Sequence, residues 1–86
     1  MEFEFDPRKN ASNKKKHGID FVGAQVLWED IDLIEVPLVT VDEKIYLIVG
    51  MINGNHWSAI ITYREARVRI ISVRRSRKEE ITIYES

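Results

Sequence analysis

Asn53-Gly54 sits between two runs, Lys44–Ile52 and Asn55–Tyr63, that are rich in β-branched and aromatic residues. Asn-Gly readily takes the positive φ angles of a two-residue hairpin turn. Such a turn fixes the register: Ile52 faces Asn55, Met51 faces His56 and Gly50 faces Trp57. A third run, Arg67–Arg75, follows a short connection at Glu65-Ala66 that pairs Arg64 with Arg67. Extending that register places Trp57 opposite Arg74 and His56 opposite Arg75. A chain with this centre must build an antiparallel sheet and bury at least one side of it.

The sheet then has two faces. One carries Tyr46, Ile48, Trp57, Ala59, Ile61, Tyr63, Val68 and Ile70 and suits the main core. The other carries Met51, His56, Ser58, Thr62, Arg69 and Arg75 around an Ile/Val centre, and is where polar chemistry has room. The middle of Arg67–Arg75 is apolar on both sides, as expected of a central strand covered on both faces. Its end carries Arg74 and Arg75, followed by Ser76 with Glu79 at capping-box spacing. A helix starting there, beside arginines, has the outline of an anion site. Ordinary solvent-facing charges at a strand end are the plainer alternative.

Upstream, Glu2–Phe5 alternates charged and aromatic residues and suits a short strand. Asp6-Pro7 opens a helix, with Asp as N-cap and Pro at its first position. That helix runs to His17, where Gly18 stops it and Lys14, Lys15, Lys16 and His17 complement the dipole. Ala11 is its only apolar side chain after Pro7, so it should lie lightly on the core. Asp20 caps a second helix ending near Glu29-Asp30, with Phe21, Ala24, Gln25, Leu27 and Trp28 near one side. Residues 31–42 look extended, though Pro37 argues against a central strand. A C-terminal helix is expected after Ser76, against the strand-like alternation of Ile81-Thr82-Ile83-Tyr84. The fold class read here is α+β: strand, two helices, a three-stranded antiparallel meander and a C-terminal helix, in one domain over residues 1–86.

Composition narrows the function classes. The 44% hydrophobic and 31% charged residues are those of a folded chain. There is no cysteine, hence no disulfide framework and no thiolate zinc site. No apolar run is long enough to cross a bilayer, and the N-terminus lacks the basic and apolar regions of a secretory signal, so a cytoplasmic location with no membrane partner is expected. The net charge of −1 removes any bulk-charge argument for nucleic acid. Its distribution is more telling: lysines and arginines gather in residues 8–16 and 64–78, acids in 29–43.

Two blocks carry a resemblance. Phe3-Glu4-Phe5-Asp6-Pro7, Lys9, Asn13, Lys16-His17-Gly18-Ile19, Phe21 and Ala24 form the first. Arg69-Ile70-Ile71-Ser72-Val73-Arg74-Arg75, with Glu80 and Tyr84, forms the second. Together they resemble the BrnT family, toxins of bacterial type II toxin–antitoxin pairs. The resemblance implies a RelE-like fold and a metal-independent ribonuclease that inhibits translation. It also implies a cognate antitoxin, BrnA-like with a ribbon-helix-helix part, through which alone operator DNA would be contacted. The family often carries a Thr–acidic–Arg triplet where this chain has Thr62-Tyr63-Arg64, and an acidic start to helix 2 where it has Val22-Gly23.

RNA cleavage without metal needs a base for the 2′-hydroxyl, a cation for the pentacovalent phosphate and an acid for the leaving oxygen. Arg64, Arg74 and Arg75 are candidates for the cation, because a guanidinium binds phosphate bidentately and keeps its charge. His17 and His56 are candidates for proton transfer, with Lys16 as a substitute. Lys9, Lys14, Lys15, Lys16 and Arg69 are candidate RNA contacts. Each has a structural alternative: His17 and the lysines as a solvated helix end, His56 as a strand residue, Trp57 and Tyr63 as core. No metal-ligand spacing, Gly-rich phosphate loop or cofactor motif is present, so no cofactor is expected. Two functions stay open: a ribonuclease toxin, or a catalytically weak or inactive homologue that binds its antitoxin and acts as co-repressor.

Overall fold

The computed structural model describes residues 1–86. The elements in chain order are β1 (Glu2–Glu4), α1 (Pro7–His17), a 3-10 helix (Gly23–Glu29), β2 (Ile34–Leu38), β3 (Ile45–Ile52), β4 (Asn55–Arg64), β5 (Arg67–Arg75) and α2 (Lys78–Glu85). The strands form one mixed sheet in the order β1-β5-β4-β3-β2. The fold is α+β, as expected, but the antiparallel part has four strands rather than three. Residues 34–38 supply the extra one, as an edge strand where Pro37 is tolerated. β1 adds a fifth strand, parallel to β5 over Glu2–Glu4.

The central hairpin forms in the expected register, with Asn53 and Gly54 at φ of 50° and 82°. The β4–β5 register starts as expected, from Arg64↔Arg67 to Ile61↔Ile70, then shifts by one residue. Beyond the irregularity Ile60 faces Ser72, Ala59 faces Val73, Ser58 faces Arg74 and Trp57 faces Arg75. This corrects the expected opposition of Trp57 to Arg74 and of His56 to Arg75. A bulge adds one residue to a single strand and so exchanges the faces beyond it. Val73 joins the core face, Arg74 moves to the face of Ser58, and Arg75 to the face of Trp57.

The core lies on the face anticipated from alternation. Ile48, Ala59, Ile61, Val68, Ile70 and Val73 pack against Ile19, Phe21, Ala24 and Leu27. The second expected helix is a 3-10 helix starting only at Gly23; Asp20 Oδ1 accepts from Gly23 N at 2.7 Å. Ala24 and Leu27, three residues apart, eclipse one another in its three-residue turn, and buried Phe21 just before the helix extends the same apolar ridge. That ridge lies close over β3: a Cβ at Gly50 would meet Leu27 Cδ2 at 3.1 Å. Trp28 meets Phe3 edge-on, with centroids 4.9 Å apart, and Phe5 meets Phe21 likewise. No helix is long and apolar enough to cross a membrane.

α2 covers the other face. Its N-cap is Arg77 rather than Ser76, and the capping box closes through Glu80 rather than Glu79. Ser76 instead shares a 2.7 Å hydrogen bond with Ser58.

Candidate functional site

α1 begins as the sequence implies: Asp6 Oδ1 accepts from Arg8 N at 2.8 Å and Pro7 opens the first turn. It ends at Gly18, whose φ of 80° suits glycine. Its one buried residue is polar. Asn13 reaches β5 and the loop after the helix, so the helix is seated by an amide rather than by an apolar stripe. Positions 9, 12, 13, 16 and 17 share one side of the helix.

That side forms one wall of an open cleft of about 530 Å³, whose other wall is β5 at the register shift, Ile71 and Ser72. The lining residues are Asp6, Arg8, Lys9, Ser12, Asn13, Lys16, His17, Ile71 and Ser72. Three expected residues, Lys9, Lys16 and His17, are brought together here. Arg8, Ser12 and Ser72 join them without having been singled out, although the spacing of 9, 12 and 16 could have flagged Ser12. The lysine run divides: Lys14 Nζ turns back to Gly18 O at 3.3 Å and Lys15 is exposed, while only Lys16 enters the cleft. Asp6 is the one acid lining the cleft. Its bond from Arg8 N, against burial, holds its carboxyl below the usual range.

The other expected residues lie elsewhere. Arg74 donates to both oxygens of Glu80 at 2.8 Å, and Glu80 also accepts from Ser58 Oγ and from Arg77 N at 2.8 Å. The bond from Arg74 is the main cause that holds the Glu80 carboxyl down to about 2, against opposing burial. The same bond raises the Arg74 pKa. Arg75 lies over the Trp57 ring, 5.4 Å from its centroid, and donates to Asn55 Oδ1 at 3.3 Å. This cation–π pairing exists only because the bulge brings the two residues face to face.

His56 contacts α2: its Nε2 is 2.7 Å from Glu85 Oε2 and its ring meets Tyr84 edge-on at 5.3 Å. Tyr84 Oη donates to Asp30 Oδ2 at 2.6 Å, and Met51 N donates to the same oxygen at 2.9 Å. Burial raises Asp30, but the bonds from Tyr84, Asp32 and Met51 prevail and leave its carboxyl below the usual range. The bond to Asp30, then burial, pushes Tyr84 up to about 12. Arg69 donates to Glu4 at 2.8 Å, and that bond leads the causes that lower Glu4. Arg64 lines a smaller hollow with Glu43, Lys44, Tyr46, Thr62 and Tyr63. Tyr63 is 46% exposed and donates to Glu35, so it is not the core residue its alternation suggested. No three side chains among His, Cys, Asp and Glu converge as metal ligands.

The arrangement thus separates two kinds of charge. Arg69 and Arg74 are engaged by carboxylates, and Arg75 is committed to Trp57 and Asn55. Lys9, Lys16 and His17 surround open space, with Arg8 beside them 93% exposed and paired with Asp6 only at 3.7 Å, and can meet an anion in solvent, where a phosphodiester would replace water around the cations.

A family model described as ribonuclease toxin, BrnT, of type II toxin-antitoxin system matches residues 5–80. No curated protein matches the chain.

Proposed function

The chain belongs to the BrnT family of ribonuclease toxins of type II toxin–antitoxin systems, and we propose that it cuts RNA in the cleft between α1 and β5, without metal. The single observation that carries this reading is the convergence of Lys9, Lys16 and His17, with Arg8, on one open cleft. His17 takes the proton of a 2′-hydroxyl. The freed oxygen attacks the adjacent phosphorus, and Lys9 and Arg8 stabilise the charge that grows on the phosphoryl oxygens. Lys16 protonates the departing 5′-oxygen. The products are a 2′,3′-cyclic phosphate and a 5′-hydroxyl. Lys14, Lys15 and Arg64 contact the RNA backbone outside the reacting phosphate, and Arg69 and Arg75 join them only on leaving Glu4 and Trp57. Arg74 and His56 act at one remove, by holding α2. Cleavage of cellular RNA inhibits translation.

Membership implies a cognate antitoxin. We assign it a ribbon-helix-helix part, BrnA-like, that contacts operator DNA, and an acidic segment that covers the basic cleft. The order of helices and strands supports kinship with RelE-type toxins. The test is incubation of purified protein with RNA and a chelator, alongside expression without antitoxin. Cleavage and growth arrest are expected; intact RNA under all conditions contradicts the reading.

One observation favours a second reading. Glu80 and Glu4 occupy the donors of Arg74 and Arg69. A chain whose strand-end arginines are all committed would serve as an antitoxin-binding module and co-repressor. It would leave RNA intact and cells unharmed while binding the antitoxin tightly.

A further inference from the structure

α1 offers β5 no apolar anchor. Ala11 is exposed, and the one buried side chain of the helix is Asn13, at 7% exposure. Its Nδ2 donates to Ile19 O at 2.9 Å and to Val73 O at 2.9 Å, and its Oδ1 accepts from Val73 N at 3.1 Å. Parallel pairing of β5 with β1 stops at Arg69, so on that side the backbone of Val73 has no strand partner. The Asn13 amide stands where a neighbouring strand would stand and satisfies both groups of one residue. Val73 lies just beyond the β4–β5 register shift, so the bond fixes the helix against the part of β5 that forms the cleft wall. On the helix, Lys9 is four residues before Asn13, and Lys16 and His17 are three and four after it, which places all of them on its side.

We propose that Asn13 is the positioning residue of the cleft: it sets His17 and the two lysines at a fixed distance from the β5 wall, and so from a phosphodiester held between them. The inference rests on the ribonuclease reading of that cleft. It predicts a specific kinetic signature. Removing Asn13 removes no charge, so the attraction that binds RNA persists, while the alignment of the base is lost. Displacements of about 1 Å cost on the order of 100-fold in rate.

The test compares wild type with Asn13→Ala and Asn13→Ser on a short RNA. A kcat lowered by roughly 10- to 100-fold, with KM changed by less than about threefold, is the expected result. Equal kcat in either folded variant overturns the proposal, as does a loss confined to KM. A second measurement needs no variant. In the NMR spectrum of wild type, a 2′-deoxy oligonucleotide that cannot be cut should shift the Asn13 side-chain amide and the His17 ring together. Asn13 signals that stay fixed while His17 moves overturn it. If wild type cuts no RNA at all, the ribonuclease reading falls, and the paired NMR response alone decides the role of Asn13.

Discussion

Arg74 holds Glu80 by two parallel N–H···O bonds, each 2.8 Å, across the junction between β5 and α2. Glu80 is both the closing member of the capping box and the partner of a strand-end arginine. α2 is only eight residues long and half-buries little more than Ile81 and Tyr84, so it depends on such ties rather than on helical propensity.

The first prediction is a pH dependence. The Glu80 carboxyl falls from an ordinary 4.5 to about 2 on folding, so the stability it contributes is present above about 4.5 and lost as pH falls towards 2. Glu80→Gln removes the charge from these hydrogen bonds and should cost about 2 kcal/mol near neutral pH. That corresponds to a Tm lower by roughly 8–16 °C for a domain of this size. The gap between wild type and variant, followed by thermal melts, should close as pH falls from 4.5 to 2. A gap independent of pH would mean that the ion pair is not what Glu80 contributes.

A second prediction concerns the β4–β5 turn. Glu65 and Ala66 sit at φ of 52° and 65°, the same left-handed region as Asn53 and Gly54, without the residues that suit it. Glu65→Asn with Ala66→Gly should raise stability by about 1 kcal/mol. Denaturant titration reads this directly; a destabilised double variant would show that the turn is not of this type.

The register shift makes a third prediction. The chain has no cysteine, so a designed pair reports cleanly. Ala59 faces Val73 in the structure, whereas an unshifted register would set it opposite Ser72. Ala59→Cys with Val73→Cys should cross-link on oxidation, and Ala59→Cys with Ser72→Cys should not. The reverse outcome removes the bulge.

Antitoxin binding gives the fourth. If an acidic segment covers the cleft, raising salt from about 0.05 to 0.5 M should slow association markedly and alter dissociation much less. Stopped-flow rates test this; an association rate indifferent to salt would place the docking surface elsewhere.

How far the sequence revealed this architecture depends on which residues carry the signal. The Asn53-Gly54 hairpin, the Asp6-Pro7 helix start and the core face followed from local chemistry, because turn residues and alternation act within a few positions. The bulge did not, although Ile70-Ile71 breaks the alternation and Val73 resumes it one residue out of phase, because two adjacent apolar residues read equally well as a strand covered on both faces. The faces of Arg74 and Arg75 were misplaced for that reason alone. Residues 34–38 read only as extended, because proline discounts a strand interior, and the structure uses them at the sheet edge, where proline is tolerated. Of the candidate residues, Lys9, Lys16 and His17 share a helix side that spacing alone defines. Asn13 gave no hint of its role, since an asparagine in a polar helix looks solvated until β5 arrives beside it.

The central claim is that the α1–β5 cleft is where RNA is cut, and steady-state cleavage of a short RNA in the presence of a chelator tests it most directly. His17→Ala should lower kcat by about 100- to 10,000-fold, the range for loss of a general base. Lys9→Ala should lower kcat too, since it removes charge that stabilises the pentacovalent phosphate, and should flatten the salt dependence of KM, since it removes one phosphate contact. Full activity in the His17 variant, or activity abolished only by changes at His56, would contradict the account.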